Sequence, residues 1–231
     1  MKYSLIIPCY NEEKNLPLLL DKCKNILLKN DIELVIVNNG SLDKSSEVLL
    51  NLKTKYKKFK IVNVSLNKGY GYGILSGIME SSGEIIAWTH ADLQTDPNDI
   101  IKGFKFFDKF GQNIFVKGLR YGRPLLDNIF TFGMSCFETL LLGKFMRDIN
   151  AQPTIISRNF FKDLSNPPLD FSLDLFIYYH AKKKLLKVYR FPVNFPPRIH
   201  GFSNWNVDWS SKIKFILRTI KYSLDLRRRV K

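Results

Sequence analysis

The sequence predicts an α/β fold: a mostly parallel open sheet flanked by helices, with amphipathic helices at the C-terminal end. Three observations predict it. Short apolar runs alternate with helical periodicity from residue 4 to residue 117, the pattern of strands joined by crossover helices. The runs are apolar throughout rather than at every second position, as in strands covered on both faces. Each run ends at polar residues or glycine, and parallel strands deliver such ends to one edge of the sheet, where open α/β sheets bind ligands.

The elements follow in order. Ser4 to Cys9 reads as a first strand, stopped by Tyr10-Asn11-Glu12-Glu13. A helix then carries Leu16, Leu19, Leu20, Cys23 and Leu27 on one face, with Pro17 tolerated in its first turn. Glu33 to Val37 is the second strand, ending at Asn38-Asn39-Gly40-Ser41, and Ser45 to Leu52 the second helix. Lys60 to Val64 makes the third strand, and Gly69, Gly71, Gly73 and Gly77 open a glycine-rich helix. Glu84 to Thr89 is the fourth strand. Asp96-Pro97 starts a helix through Phe110 with Ile100, Ile101, Phe104 and Phe107 inward. Ile114 to Lys117 is the fifth strand.

The second half is less regular. Leu125 to Met146 reads as a helix whose apolar arc is wider than packing on one sheet requires, interrupted only by Asp127, Thr131, Ser135 and Glu138. A core or dimer helix and an interfacial membrane helix both fit it. Thr154 to Ser157 and Leu185 to Val193 read as strands, with a helix from Leu173 to Lys183 between them. In the tail, Ile213, Ile216, Leu217, Ile220 and Leu224 fall at helical spacing, with Lys214, Arg218 and Lys221 opposite and Arg227-Arg228-Arg229 after. That helix suits an anionic membrane surface or a plainly solvated face. The expected division is a domain over residues 1–205 and a basic amphipathic helix over 206–231.

Composition narrows the partners. The 231 residues hold 36 Lys and Arg against 21 Asp and Glu, a net charge of +15, which calls for an anionic partner. A nucleic acid is not expected, because the basic residues lack the interleaved aromatics of an RNA-binding signature. Cys9, Cys23 and Cys136 have neither disulfide nor metal spacing and suggest free thiols in a reducing compartment. Met1-Lys2-Tyr3 leads straight into a strand with no signal segment, and no apolar run approaches a bilayer's length. The expectation is a soluble or peripheral protein.

The sharpest signal follows the fourth strand. His90, Asp92 and Gln94 alternate, and in an extended segment that period puts all three on one side. An imidazole, a carboxylate and an amide oxygen at a strand's end suit a hard divalent cation carrying a phosphate. The competing reading is a loop whose polar residues cap the helix after Pro97. At the same edge, Tyr10 to Asn39 would take a base and ribose, with the diphosphate near Asp92. No Gly-x-Gly-x-x-Gly follows the first strand and no Walker loop is present, which disfavours dinucleotide dehydrogenases and nucleoside-triphosphate hydrolases.

Ser4-Leu5-Ile6-Ile7-Pro8-Cys9-Tyr10-Asn11-Glu12, Val35-Ile36-Val37-Asn38-Asn39-Gly40-Ser41 and Ala91-Asp92-Leu93-Gln94 together resemble family 2 glycosyltransferases of the Rossmann-like GT-A fold. The chain looks most like the dolichyl-phosphate mannose synthase branch and its bacterial polyprenyl-phosphate relatives. Gly118-Leu119-Arg120-Tyr121, Asp148-Ile149-Asn150-Ala151-Gln152-Pro153 and Arg198-Ile199-His200-Gly201-Phe202-Ser203 stand where that branch carries a Gly-x-Arg turn, an acceptor-side loop and a basic closing loop.

The resemblance implies an inverting transferase that moves a sugar from a nucleotide-diphosphate donor to a polyprenyl phosphate at the inner face of the cytoplasmic membrane. The alternatives are a transferase extending a polysaccharide or lipid-linked glycan through a sugar hydroxyl, and an inactive nucleotide-binding relative. It implies that Pro8, Tyr10, Asn11, Glu12, Asn38, Asn39, Gly69 and Ala91 contact the nucleotide. Asp92, Gln94 and His90 would hold Mn2+ or Mg2+, and Arg120, Gln152, Arg198 and Ser203 would hold phosphate or acceptor. Asp92 and Arg120 are the expected catalytic residues, with Asp174 the candidate base for a hydroxyl acceptor. For Asp174 an N-cap or solvent-facing role competes. His90 replaces the first Asp of the family's Asp-x-Asp, and Asn38-Asn39 its usual Asp-Asp, so the site is less negative and metal affinity is weaker or shifted toward manganese. A homodimer or a separate membrane partner is compatible with this reading.

Overall fold

The computed structural model describes residues 1–200 and 209–230. Ser203 therefore lies outside the described residues, as does the expected domain boundary at 205/206; α9 (Trp209–Val230) is described as a helix.

Seven strands form one sheet in the order β3-β2-β1-β4-β6-β5-β7. β1 (Tyr3–Cys9), β2 (Ile32–Asn39), β3 (Phe59–Val64), β4 (Ile85–Trp88), β5 (Ile114–Tyr121) and β7 (Lys187–Asn194) all run one way. β6 (Thr154–Ser157) is antiparallel to both β4 and β5. Its reversal brings the start of β6 to the edge where the other strands end.

Strand periodicity separates two cores. Leu5, Ile7, Leu34, Ile36, Ile85, Ala87, Ile114 and Val116 pack on one face, under α1 (Leu16–Lys22), α2 (Lys24–Leu27), α3 (Ser45–Lys55) and α5 (Asp99–Phe110). The alternate residues Ile6, Val35, Val37, Ile86, Trp88 and Phe115 pack on the other, under α4 (Tyr70–Glu80), α7 (Arg158–Lys162) and α8 (Leu173–Lys183). Both faces are covered, which is why the runs read as unbroken apolar sequence.

Several boundaries differ from the expectation for local reasons. The first predicted helix is two, because the backbone tightens at Cys23, whose N–H reaches the carbonyls of both Leu19 and Asp21. β5 runs on to Tyr121 because β7 pairs with it along its whole length. α6 (Leu125–Leu142) stops short of Met146 because Gly143 turns left-handed, at φ 63°. α7 escaped the sequence reading; Ser157 Oγ caps it by accepting from the Phe160 N–H at 3.2 Å.

α6 is inside out. Its buried residues are Ser135, Glu138 and Leu142, while Leu126, Ile129, Phe132 and Leu140 are exposed. By length and composition it is apolar enough to cross a membrane, which corrects the expectation that no segment reaches that length. It is not the core helix that the apolar arc allowed. On α9, Ile213, Leu217 and Leu224 are likewise exposed, and Ser223 and Leu226 are buried.

Candidate active site

The sheet edge gathers the sequence motifs. After β1, Asn11 sits at φ 57° and is tied to the loop after β2: its N–H donates to Ser41 Oγ at 3.1 Å, and its Oδ1 accepts from the Leu42 N–H at 2.8 Å. The Glu12 N–H donates to Ser45 Oγ at 2.9 Å, and Glu12 Oε2 accepts from Asn15 Nδ2 at 2.6 Å. Burial raises the Glu12 carboxyl above its ordinary value, against the Asn15 hydrogen bond. Pro8 and Tyr10 are half-buried beside these loops.

Asn38 Oδ1 accepts from the Ser41 N–H at 3.2 Å, and Asn39 Nδ2 donates to the Gly69 carbonyl at 3.0 Å. Asn39 Oδ1 is buried with no hydrogen-bond partner among the described residues. Gly69 itself is at φ 119°, with the Leu169 carbonyl where a Cβ would stand. The loops of β1, β2 and β3 thus form one connected wall.

Beyond β4 the chain is not extended. The strand ends at Trp88 rather than Thr89, residues 91–95 bend, and Leu93 is at φ 60°. Asp92, buried beside buried Ala91, uses Oδ1 to accept the Gln94 N–H at 3.1 Å and pairs through Oδ2 with Arg198 at 2.9 Å. Arg198 Nε also donates to Gln94 Oε1 at 3.2 Å. Asp92 and Gln94 are therefore brought together on one guanidinium. His90 lies against the Tyr70 ring, centroids 5.3 Å apart. Desolvation lowers its pKa against the opposing pull of Asp92 and Asp174, leaving a neutral imidazole able to ligate. The turn into α5 is taken by Asp96, whose Oδ1 accepts the Asn98 N–H at 2.9 Å; the capping alternative for residues 90–94 does not describe them.

Among the described residues no group of three His, Cys, Asp or Glu side chains forms a metal cluster. The donors present are one carboxylate, one neutral imidazole and one amide oxygen. That set fits a cation whose remaining ligands are substrate phosphate oxygens and water, the usual arrangement for Mg2+, and does not fit an all-protein cage.

Two more ion pairs line the edge. Arg120, at the end of β5, pairs with Asp148: its Nε donates to Oδ1 at 2.9 Å, Nη2 adds a second bond, and its backbone N–H reaches Oδ2 at 3.1 Å. Arg120 and Arg123 both face the Phe195 ring, at 5.2 and 5.5 Å from its centroid. The other pair is wholly interior. Lys117 is 0% exposed, and its Nζ meets Thr154 Oγ1 and, at 3.3 Å, Asp174 Oδ1. Burial lowers the ammonium to about 8, with Asp174 opposing.

Asp174 stands in the first turn of α8, buried, not capping and not facing solvent. It also accepts from Trp88 Nε1 at 3.3 Å, Thr154 Oγ1 at 3.3 Å and Gln152 Nε2 at 3.1 Å. Gln152 Nε2 in addition donates to Tyr70 OH at 3.0 Å.

Next to Arg120, a cavity of about 60 Å3 opens between α6, α9 and the 148–152 loop, with Glu138, Phe130, Met134, Ile149 and Leu175 in its walls. Glu138 is fully buried; Ser223 Oγ donates to its Oε1 at 2.5 Å, while Oε2 has no hydrogen-bond partner among the described residues.

Sequence reasoning gave no site role to Lys117, Tyr70, Trp88 or Thr154, and noted Asp148 only within the acceptor-side loop and Glu138 only as a polar break in the apolar helix. A lysine closing a buried strand next to Gly118 was the one readable signal. The others look like ordinary core or loop residues until the chain is folded.

The protein family model described as glycosyl transferase family 2 matches residues 4–150. A dolichyl-phosphate beta-glucosyltransferase of Trichomonas vaginalis is 39% identical over 103 residues, 42% of this chain and 32% of that protein. An undecaprenyl-phosphate 4-deoxy-4-formamido-L-arabinose transferase of Photorhabdus laumondii is 39% identical over 105 residues, 43% of this chain and 31% of that one. The matched stretch spans about a third of the length of these curated relatives. Among solved structures, glucosyl-3-phosphoglycerate synthase of Mycobacterium tuberculosis with UDP superposes with a TM-score of 0.75 at 15% identity, covering 98% of this chain and 79% of that one. The same enzyme bound to Mn2+, UDP and glucosyl-3-phosphoglycerate gives 0.73 at 15% identity over the same shares, and bound to Mg2+ and UDP 0.70 at 13%. These structures share the mostly parallel sheet with flanking helices and bear out the expected GT-A fold. With its family model matched from β1 to the loop before β6, the chain belongs to glycosyltransferase family 2.

Proposed function

We propose that this chain moves a sugar from a nucleoside-diphosphate donor to a polyprenyl phosphate at the inner face of the cytoplasmic membrane, inverting the anomeric centre. One observation carries the lipid half of the reading: α6 follows four residues after the Arg120 strand and turns its polar side inward and its apolar side out. An outward apolar face of that size, on a chain of net charge +15, suits an anionic bilayer. The curated relatives named above are, by their names, transferases acting on dolichyl and undecaprenyl phosphates.

In this reading Pro8, Tyr10, Asn11, Glu12, Asn38 and Asn39 hold the nucleoside, with Gly69 and Ala91 closing around it. The unpartnered Asn39 Oδ1 accepts from a base N–H. Asp92, with His90 and Gln94, would hold Mn2+ or Mg2+, whose positive charge would stabilise the departing diphosphate. Arg198 then transfers its hydrogen bonds from Asp92 to phosphate. Arg120, and Ser203, five residues after Arg198 in the sequence, orient the acceptor phosphate. An oxygen of that phosphate attacks C1 of the sugar from the face opposite the nucleotide. The C1–O bond to the β-phosphate breaks, its electron pair stays on the diphosphate, and the configuration inverts.

An acceptor phosphate is already anionic, so no protein base is needed. This fits Asp174, whose carboxylate is taken up by four donor residues and serves here as an anchor. Extension of a glycan through a hydroxyl would ask that same carboxylate to accept a proton.

The test incubates the protein with labelled sugar nucleotides, Mn2+, and either a polyprenyl phosphate or glycan primers. Label in an organic-extractable, acid-labile product is expected. Label on glycan alone overturns the acceptor, and no transfer with any donor leaves the inactive relative.

A further inference from the structure

Gln152 precedes β6 at the sheet edge and is wholly buried, yet only half of its carboxamide is satisfied. Nε2 donates to both oxygens of Asp174 at 3.1 Å and to Tyr70 OH at 3.0 Å. Oε1 is buried without a hydrogen-bond partner among the described residues. A carboxylate can only accept, so Asp174 dictates which end of the amide faces it and which end is left open. Gly118 fixes the backbone behind it: a Cβ there would overlap the Gln152 carbonyl. A buried acceptor left open is unfavourable unless a donor arrives, and Tyr70, which Gln152 holds, lies tilted against the ring of His90, one of the candidate cation donors, with centroids 5.3 Å apart.

Lys117 explains why the arrangement is stable. Its ammonium, 0% exposed, sits against Asp174 and Thr154, so a carboxylate that would be costly to bury alone is neutralised in place. No described solvent-exposed group takes part in this pair.

We propose that Lys117 and Asp174 are a buried positioning pair that points Gln152 Oε1 at a hydroxyl of the donor sugar, making Gln152 a residue that selects sugars carrying that hydroxyl. This deepens, and rests on, the nucleotide-sugar reading above. Neither Lys117 nor Asp174 touches substrate; both act through the amide. Gln152 then contacts the donor sugar and not the acceptor phosphate.

The experiment measures kcat/KM for the best-transferred sugar nucleotide and for its monodeoxy analogues, each lacking one hydroxyl, with UDP binding measured in parallel. In the wild type, one analogue is expected to lose on the order of 10- to 100-fold, as when a site's polar group is left unpaired. In Gln152→Leu that selective loss disappears while UDP still binds.

The double variant Lys117→Met/Asp174→Asn removes both charges together, avoiding a lone buried charge. It is expected to fold and to lose the same selectivity, because a carboxamide at position 174 both donates and accepts and no longer dictates how the Gln152 amide is turned. A purely structural pair would leave the profile unchanged. Wild-type transfer with an unaltered profile in Gln152→Leu, or in the folded double variant, overturns this inference alone. Absence of transfer and of UDP binding by the wild type overturns the transferase reading and this inference with it.

Discussion

Replacing Glu138 by Gln tests the α6–α9 contact through its dependence on pH. Glu138 is 0% exposed, its carboxyl is shared with Ser223 of α9 through Oε1 alone, and burial pushes its pKa from 4.5 to about 7 against that hydrogen bond. At 1.36 kcal/mol per pH unit the gap corresponds to about 3 kcal/mol. The folded value lies above the unfolded one, so between pH 4.5 and about 7 the folded protein holds a proton that the unfolded chain has released. The contribution is therefore complete below 4.5 and is lost as pH rises through about 7. Glu138→Gln is neutral at every pH and still accepts from Ser223. It places an unpartnered N–H where Oε2 stands, a pH-independent penalty of about 1–3 kcal/mol. Urea unfolding from pH 5 to pH 8 at fixed ionic strength should show wild-type stability falling relative to the variant by roughly 3 kcal/mol. Parallel curves for the two proteins would refute the reasoning, because they would mean that Glu138 ionises in the fold as easily as in water.

Other expectations follow from single contacts. Asp92→Ala should abolish sugar transfer while the far-UV circular dichroism stays unchanged, since the lost partner is a half-buried arginine at the edge. Arg120→Lys should lower kcat/KM by roughly 10- to 100-fold, because an ammonium cannot reproduce the guanidinium's fork; acceptor titrations would show it. Gly118→Ala should destabilise the fold by about 1–3 kcal/mol in denaturant titration, because its methyl meets the Gln152 carbonyl. Leu126→Ser with Phe132→Ser, both on the exposed side of α6, should weaken co-sedimentation with anionic vesicles by roughly 10- to 100-fold.

The sheet was legible because burial on both faces leaves an unambiguous apolar signature, and Ile6 and Ile7 belong to opposite cores without any change in residue type. The reversal of β6 was not legible: Thr154-Ile155-Ile156-Ser157 carries no mark of direction, and direction is what brings Gln152 to the edge. The period-two argument placed His90, Asp92 and Gln94 on one side of an extended chain. The chain instead turns at Leu93, and Asp92 and Gln94 converge through a shared arginine more than 100 residues away in sequence. Lys117 escaped notice because a lysine at a strand end ordinarily reaches water. Only the fold shows that Asp174 waits for it.

Three carboxylates and three cations stand in pairs along this edge: Asp92 with Arg198, Asp148 with Arg120, and Asp174 with Lys117. Their exposure divides their work. The Arg198 and Arg120 side chains keep 27% and 10% of their surface open, so an arriving phosphate can compete with the carboxylate for each guanidinium; Lys117 keeps none. With both a divalent cation and the diphosphate bound, Asp92 would exchange the Arg198 guanidinium for the cation and Arg198 would exchange the carboxylate for phosphate, the cation's added positive charge being offset by the diphosphate's negative charge. On the proposed reading, a site with His90 and Asn38-Asn39 in place of carboxylates would hold a metal only with the substrate, which would bring the negative charge missing from the protein. Metal affinity should therefore be weak alone and rise steeply with nucleoside diphosphate. Titration of Mn2+ by electron paramagnetic resonance, with and without UDP, reads this coupling directly; equal affinity in both would place the cation's ligands elsewhere.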